Sequence, residues 1–278
     1  MADLSPKRPH VANFIRLCYT EGRRNDAMNE ENRIGVPRFL DQLDRCFGRN
    51  DLKAARECLD AWERRARDLG DRRGLLTVLN EAVGYYRRTQ KKSKALAALA
   101  ECRALVRELD MESSLSGATV LINAATTLAF FGQEEEGLTL YSQAAVCYEE
   151  AGRTQSYEYA ALLNNRAATL YTLKRYDAAE ADWRRAIDVL RQEGRHDAEI
   201  AISLVMLAHL TYDRDDTAYA AMEALLDEAW ERINSPRQVR DGNYAYALRK
   251  CAPSFDYFQR SEAAQALREV AREIYEGT

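Results

Sequence analysis

Apolar residues recur along much of this chain at the i, i+4, i+7 spacing of one helical face. Leu163, Ala167 and Leu170 form one such stripe, and Ala179, Trp183, Ala186 and Leu190 form a second. Only Lys174-Arg175-Tyr176 separates them, so the pattern predicts two helices joined by a tight turn. The same pair of stripes appears earlier without gaps, at a fixed offset of 42. Leu79, Ala82, Val83, Tyr86, Ala95, Leu99 and Cys102 map onto Leu121, Ala124, Ala125, Leu128, Gly137, Tyr141 and Ala144. These map in turn onto Leu163, Arg166, Ala167, Leu170, Ala179, Trp183 and Ala186. Large side chains fall on large ones and small on small, with Arg166 the exception. Self-similarity at such a period means stacked supersecondary units.

The small residues have a physical role in this pattern. Ala125 and Ala167 on the first helix, with Gly137 and Ala179 on the second, let two helices approach closely. Tyr141 and Trp183 are then expected to fill the space beside them. Weaker copies flank the three clear ones. Phe39, Leu43 and Cys46, then Leu52, Ala55, Leu59 and Trp62, form one upstream. Val205, His209 and Tyr212, then Ala221 and Leu225, form one downstream, and Tyr244–Cys251 with Ala264–Ile274 forms the last. Six hairpins are expected over residues 37–276, as one repeat domain with core repeats at about 75–110, 117–151 and 159–193. Residues 1–36 are expected to be a cap, with Val11, Phe14, Ile15 and Cys18 as a short helix.

Composition supports an all-α chain. Only 5 Pro and 13 Gly occur, and no proline lies in the 198 residues between Pro37 and Pro236, too little punctuation for an all-β or doubly wound protein. The 46% hydrophobic content supplies a core. A net charge of −4 argues against a nucleic-acid partner. No stretch suits a membrane span or a secretory signal. The six cysteines have no zinc spacing, as expected of reduced thiols in a cytoplasmic protein.

The motif large-x2-x-small-x2-large, then small-x3-aromatic-x2-small, resembles the tetratricopeptide repeat. The period is 42 rather than 34, so the resemblance is to the long-repeat type found in peptide-sensing and motor-adaptor members of that superfamily. The C-terminal stretch resembles that of bacterial tetratricopeptide proteins. The resemblance implies an α-α superhelix whose first helices line a concave groove.

No nucleophile elbow, P-loop, zincin motif or dinucleotide fingerprint is present, so no catalytic residue, metal or cofactor is expected. His209 near Asp213, Asp215 and Asp216 reads as a solvated acidic turn or, alternatively, a metal site. Asn123 and Asn165 lie 42 apart, off the packing stripe, with Glu81 equivalent and Asn164 adjacent. Their amides suit an extended backbone, and in peptide-binding tetratricopeptide domains an Asn here commonly grips it. Packing against the neighbouring helix is the alternative. Arg87 and Arg88 form a candidate carboxylate clamp or a dipole-complementing pair, and Phe130 and Tyr171 are candidate contacts for a ligand side chain. The basic run Lys91, Lys92 and Lys94 reads as an anion patch, or as the register partner of the acidic turn, with Lys92 beside Glu134 and Lys94 beside Glu136. Pro253 is expected to end or kink a helix within the aromatic stretch Tyr244–Phe258, itself a packed cap or a partner surface.

The function expected is a non-enzymatic scaffold that binds a protein or peptide segment in its groove. A self-assembling repeat protein, for instance a homodimer, is one alternative. A peptide-sensing regulator acting through another protein is the second.

Overall fold

The computed structural model describes residues 32–194 and 196–276, and the expected Val11–Cys18 cap helix lies outside them. Among the described residues there are twelve helices and no strand. They pair into six hairpins: α1 (Val36–Gly48) with α2 (Leu52–Asp68), α3 (Arg72–Arg88) with α4 (Lys92–Glu108), α5 (Leu115–Phe130) with α6 (Glu134–Glu150), α7 (Tyr157–Thr172) with α8 (Tyr176–Glu193), α9 (Asp197–Arg214) with α10 (Tyr219–Ile233), and α11 (Gly242–Tyr257) with α12 (Ser261–Glu276). They fall into two compact units, one carrying α1–α6 and the other α7–α12.

Five of the six turns inside a hairpin use the same device, while in the α9–α10 turn Asp215 is extended instead. One residue adopts a left-handed backbone: Asn50, Gln90, Gly132, Lys174 and Gln259. The next N–H reaches back to a carbonyl five residues earlier, as in Lys91 to Tyr86 (2.8 Å) and Arg175 to Leu170 (2.9 Å). This Schellman closure caps the first helix within three residues. It needs no proline, which is how the array runs so far without one. Entry into the first helix of a hairpin, here called the inner helix, is side-chain capped in four of the six hairpins. The Asp71, Ser114, Ser156 and Asp241 side chains each accept a hydrogen bond from a backbone N–H in the first turn of α3, α5, α7 and α11.

In the first unit, α3 packs on α2, α4 and α5, and α5 packs on α6 as well. The small residues act as the sequence suggests. A Cβ added at Gly137 would lie 2.9 Å from the Ala125 carbonyl oxygen, so α6 crosses α5 at backbone contact. Tyr141 fills the space beside it, its hydroxyl 2.8 Å from Thr126 Oγ1. In the second unit, α9 packs on α7, α8, α10 and α11. Trp183 is fully buried there, 5.8 Å from the Tyr171 ring. The inner helices are buried over most of their circumference, which forces their polar residues into the interior.

Three expectations need correction. The buried stripe of α10 is Met222, Leu226, Ala229 and Ile233, not Ala221 and Leu225. These four lie 43 residues beyond Ala179, Trp183, Ala186 and Leu190, so the α9–α10 region carries one extra residue and turns the stripe by one position. Of the two outcomes expected at Pro253, an end is ruled out: α11 runs through it to Tyr257, with the ring exposed. Nor do Lys92 and Lys94 pair with Glu134 and Glu136. The Lys92 ammonium bonds the Phe131 carbonyl at 3.3 Å, and that of Lys94 lies over the Tyr86 ring. The carbonyls at the C-terminus of α5 carry the negative end of the helix dipole and compete successfully for the cation.

One prediction concerns the start of α9. Burial raises the Glu199 carboxyl, Asp241 and Asp197 raise it further, and His196 partly offsets them. The His196 ring stacks on Tyr157 at 4.7 Å and sits 2.9 Å from Glu193. A carboxyl raised above its unfolded value is penalised when ionised. Stability is therefore fully present below the unfolded value, near pH 4.5, and falls as pH rises through the folded one. Glu199→Gln should unfold at higher urea than the parent at neutral pH, and the gap should close at about pH 4. An equal gap at both values would refute the assignment.

Candidate functional site

In the first unit the inner helices α3 and α5 carry the candidate residues. Asn123 is buried, and its Nδ2 donates to Asn80 Oδ1 on α3 at 3.0 Å. Glu81 is buried on α3, next to Asn80 in sequence. Arg87 turns inward and donates to Thr127 Oγ1 at 3.0 Å, while Thr127 donates to the Asn123 carbonyl at 2.7 Å. Arg88 turns away. It is exposed, donates to Asn50 Oδ1 at 2.6 Å, and stacks over the Phe47 ring. The structure therefore joins Asn123 and Arg87 through Thr127 and separates Arg87 from Arg88. Phe130 packs edge-on against Phe131, with centroids 5.0 Å apart.

In the second unit α7 and α9 carry the rest. Asn164 and Asn165 are both buried. Ser203 on α9 donates to Asn164 Oδ1 at 2.8 Å, and the Asn165 carbonyl receives Thr169 Oγ1 at 3.1 Å. Tyr171 donates to Asp213 Oδ2 at 2.6 Å. Arg166, the exception in the repeat pattern, forms a two-pronged pair with Asp182 on α8 at 2.6 and 2.7 Å. The His209 neighbourhood does not converge. His209 Nε2 lies 3.1 Å from Ser254 Oγ, Asp213 takes Tyr171, and Asp215 takes Thr217. Among the described residues no three His, Cys, Asp or Glu side chains form a metal-holding group.

Asn80 and Ser203 are participants that sequence reasoning missed. Asn80 and Asn164 lie 84 residues apart, twice the repeat offset, with Ile122 between them in register. Each is about 1% exposed. Each has its carbonyl oxygen occupied by a donor from the next inner helix. For each, no acceptor reaches the Nδ2 amide among the described residues. The repeat register alone contained that signal. A buried amide donor without an acceptor costs about 1–3 kcal/mol, so two at equivalent positions are unlike ordinary core residues.

Cysteine chemistry is muted. Burial pushes the Cys58 thiol up to about 11 and Cys251 to about 12, which leaves little thiolate at neutral pH. Among the described residues no helix is long and apolar enough to cross a membrane.

No family model matches the chain, and no curated protein matches it. Solved structures do. A Rap protein complexed with competence and sporulation factor superposes with a TM-score of 0.55 at 15% identity, covering 90% of this chain and 77% of that one. The nearly identical TPR-like repeats of a kinesin light chain from Podosopora anserina give 0.51 at 16% identity, covering 72% and 94%. BtubC from P. vanneervenii gives 0.50 at 16% identity, covering 88% and 92%. With twelve helices in six hairpins among its described residues, the chain has the all-α, TPR-like repeat fold.

Proposed function

We propose that this chain is a non-enzymatic scaffold whose inner helices bind a peptide or protein segment. The observation that carries the reading is the pair of buried amide donors, Asn80 Nδ2 and Asn164 Nδ2, held with their oxygens already engaged. Such donors match the carbonyl oxygens of an extended backbone. Glu81, Asn123 and Arg87 in one unit, and Asn165 and Tyr171 in the other, supply polar and aromatic groups on the same helices. Arg88 and Phe130 stand at the ends of theirs. A protein of the same fold in complex with a separate factor supports this use of the fold.

The test is selection of linear peptides from a display library against the full chain, followed by titration of one selected peptide. Asn164→Leu should weaken that peptide about tenfold or more, the order expected when a hydrogen bond to a buried group is lost. The same variant should melt no lower than the parent. It removes the unmatched donor, and the Ser203 hydroxyl can turn to the Glu199 carbonyl, 3.1 Å away. Unchanged affinity in a folded Asn164→Leu protein would sink the reading, as would a library that yields no binder.

A further inference from the structure

Outside the inner helices, the first unit carries an edge rich in cations. Side-chain contacts link its three intra-hairpin turns. Arg88, at the end of α3, reaches Asn50 and Phe47 in the α1–α2 turn region. Arg56 and Lys94 lie over the Tyr86 ring at 5.0 and 5.9 Å. Lys92 reaches across to Phe131 in the α5–α6 turn, at its carbonyl and 5.8 Å from its ring. Arg49, Lys53, Arg88, Lys91, Lys92 and Lys94 are all exposed along this edge. None of the six forms an ion pair among the described residues. By contrast Arg56, on the same edge, and Arg45, Arg67 and Arg72 of the same unit all do.

The arrangement is unfavourable to the chain on its own terms. Lys91, Lys92 and Lys94 stand at the start of α4, where the helix dipole disfavours cations, and no acidic residue occupies that first turn. The acidic residues that the repeat register offers, Glu134 and Glu136, go unused by these lysines. Glu136 instead accepts from Gln133 at 3.1 Å. The aromatic rings hold the cations in place without neutralising them.

We infer that this edge docks a short acidic segment of a partner protein. Charge complementarity selects an anion, and the neighbouring chain limits its length. Glu134, Glu135 and Glu136 begin α6 just beyond Phe131 and would repel a polyanion that continued past the lysines. Duplex nucleic acid carries a charge about every 1.7 Å and cannot stop short of them. A run of a few Asp or Glu residues can. The half-buried Phe47 and Phe131 would take up its aliphatic carbons. Of the six cations only Arg88 lies on an inner helix, and the three lysines do not depend on the peptide reading above.

The experiment is fluorescence anisotropy with the full chain and a labelled peptide of four consecutive glutamates flanked by Gly-Ser. In about 150 mM salt the peptide should bind saturably, and it should weaken about tenfold when the salt is raised several-fold. The combined variant Lys91→Ser, Lys92→Ser, Lys94→Ser should lose binding and melt no lower than the parent, since all three side chains are exposed at a helix start that disfavours cations. Absence of saturable binding overturns the inference, and so does equal binding by the variant. Tighter binding of a short DNA duplex than of the peptide also overturns it and reassigns the edge to nucleic acid.

Discussion

Trp183→Ala should lose about 3–5 kcal/mol of stability, the range for deleting a large aromatic from a packed core. The indole is fully buried in the α7–α8 hairpin, at the register position where Tyr141 serves α5–α6. It meets Tyr171, whose hydroxyl holds Asp213 at the end of α9. The cavity would therefore loosen two inner helices at once. A urea titration should show the loss as a shifted midpoint, and hydrogen exchange should show it as faster exchange in α7, α8 and α9. Trp183→Phe is the control. The indole N–H has no acceptor among the described residues, so Phe gives up ring volume but no hydrogen bond. It should cost clearly less than Ala, because it leaves a much smaller cavity. If Phe proves as damaging as Ala, the residue is not acting through packing volume.

Much of this fold is legible in the sequence because the spacing of large and small residues is a packing instruction. Ala125, Gly137, Tyr141, Ala167, Ala179 and Trp183 are all buried or in close contact where the 42-residue offset puts them. Six hairpins follow from the same arithmetic. The offset fails where the chain changes length. One extra residue between α8 and α10 moved the buried stripe from Ala221 and Leu225 to Met222 and Leu226. Pro253 was legible as an end or a kink, and the structure rules out the end. Its exposed place on α11 lets the ring face solvent while Ala252, Ser254 and Phe255 keep the packing.

The polar groups were legible as positions and not as partners. Asn123 meets Asn80 across a sequence separation of 43, Arg87 meets Thr127 across 40, and Ser203 meets Asn164 across 39. No single offset yields these three pairs. Side-chain length and the local crossing of adjacent inner helices decide them, and periodicity fixes neither. Lys92 shows the same effect at the surface, reaching Phe131 at 39 rather than Glu134 at 42. The direction in which an amide points, which matters most for ligand recognition, therefore emerges only when both neighbouring helices are placed.

Gly137→Leu should be strongly damaging to the first unit, with an expected loss above about 3 kcal/mol, the upper end for overpacking. At this crossing the Cβ would meet a backbone oxygen, that of Ala125, at 2.9 Å, and the Ala129 Cβ stands 3.4 Å away. A flexible side chain could swing aside, but a carbonyl inside α5 cannot move without the helix. Gly137→Ala tests the point more finely. Helix propensity alone favours Ala by about 1 kcal/mol. The close approach should reverse that sign and leave a net loss of about 1–3 kcal/mol, read from urea midpoints. Ala125→Gly in the same protein should give no rescue, because the obstructing atom is main chain and survives the substitution. A rescue, or a net gain from Gly137→Ala, would show that α5 and α6 are not in backbone contact. The equivalent α8 position already carries a Cβ, that of Ala179, and the residue is fully buried. Of these two register-equivalent positions, glycine is required at the one where α6 meets α5.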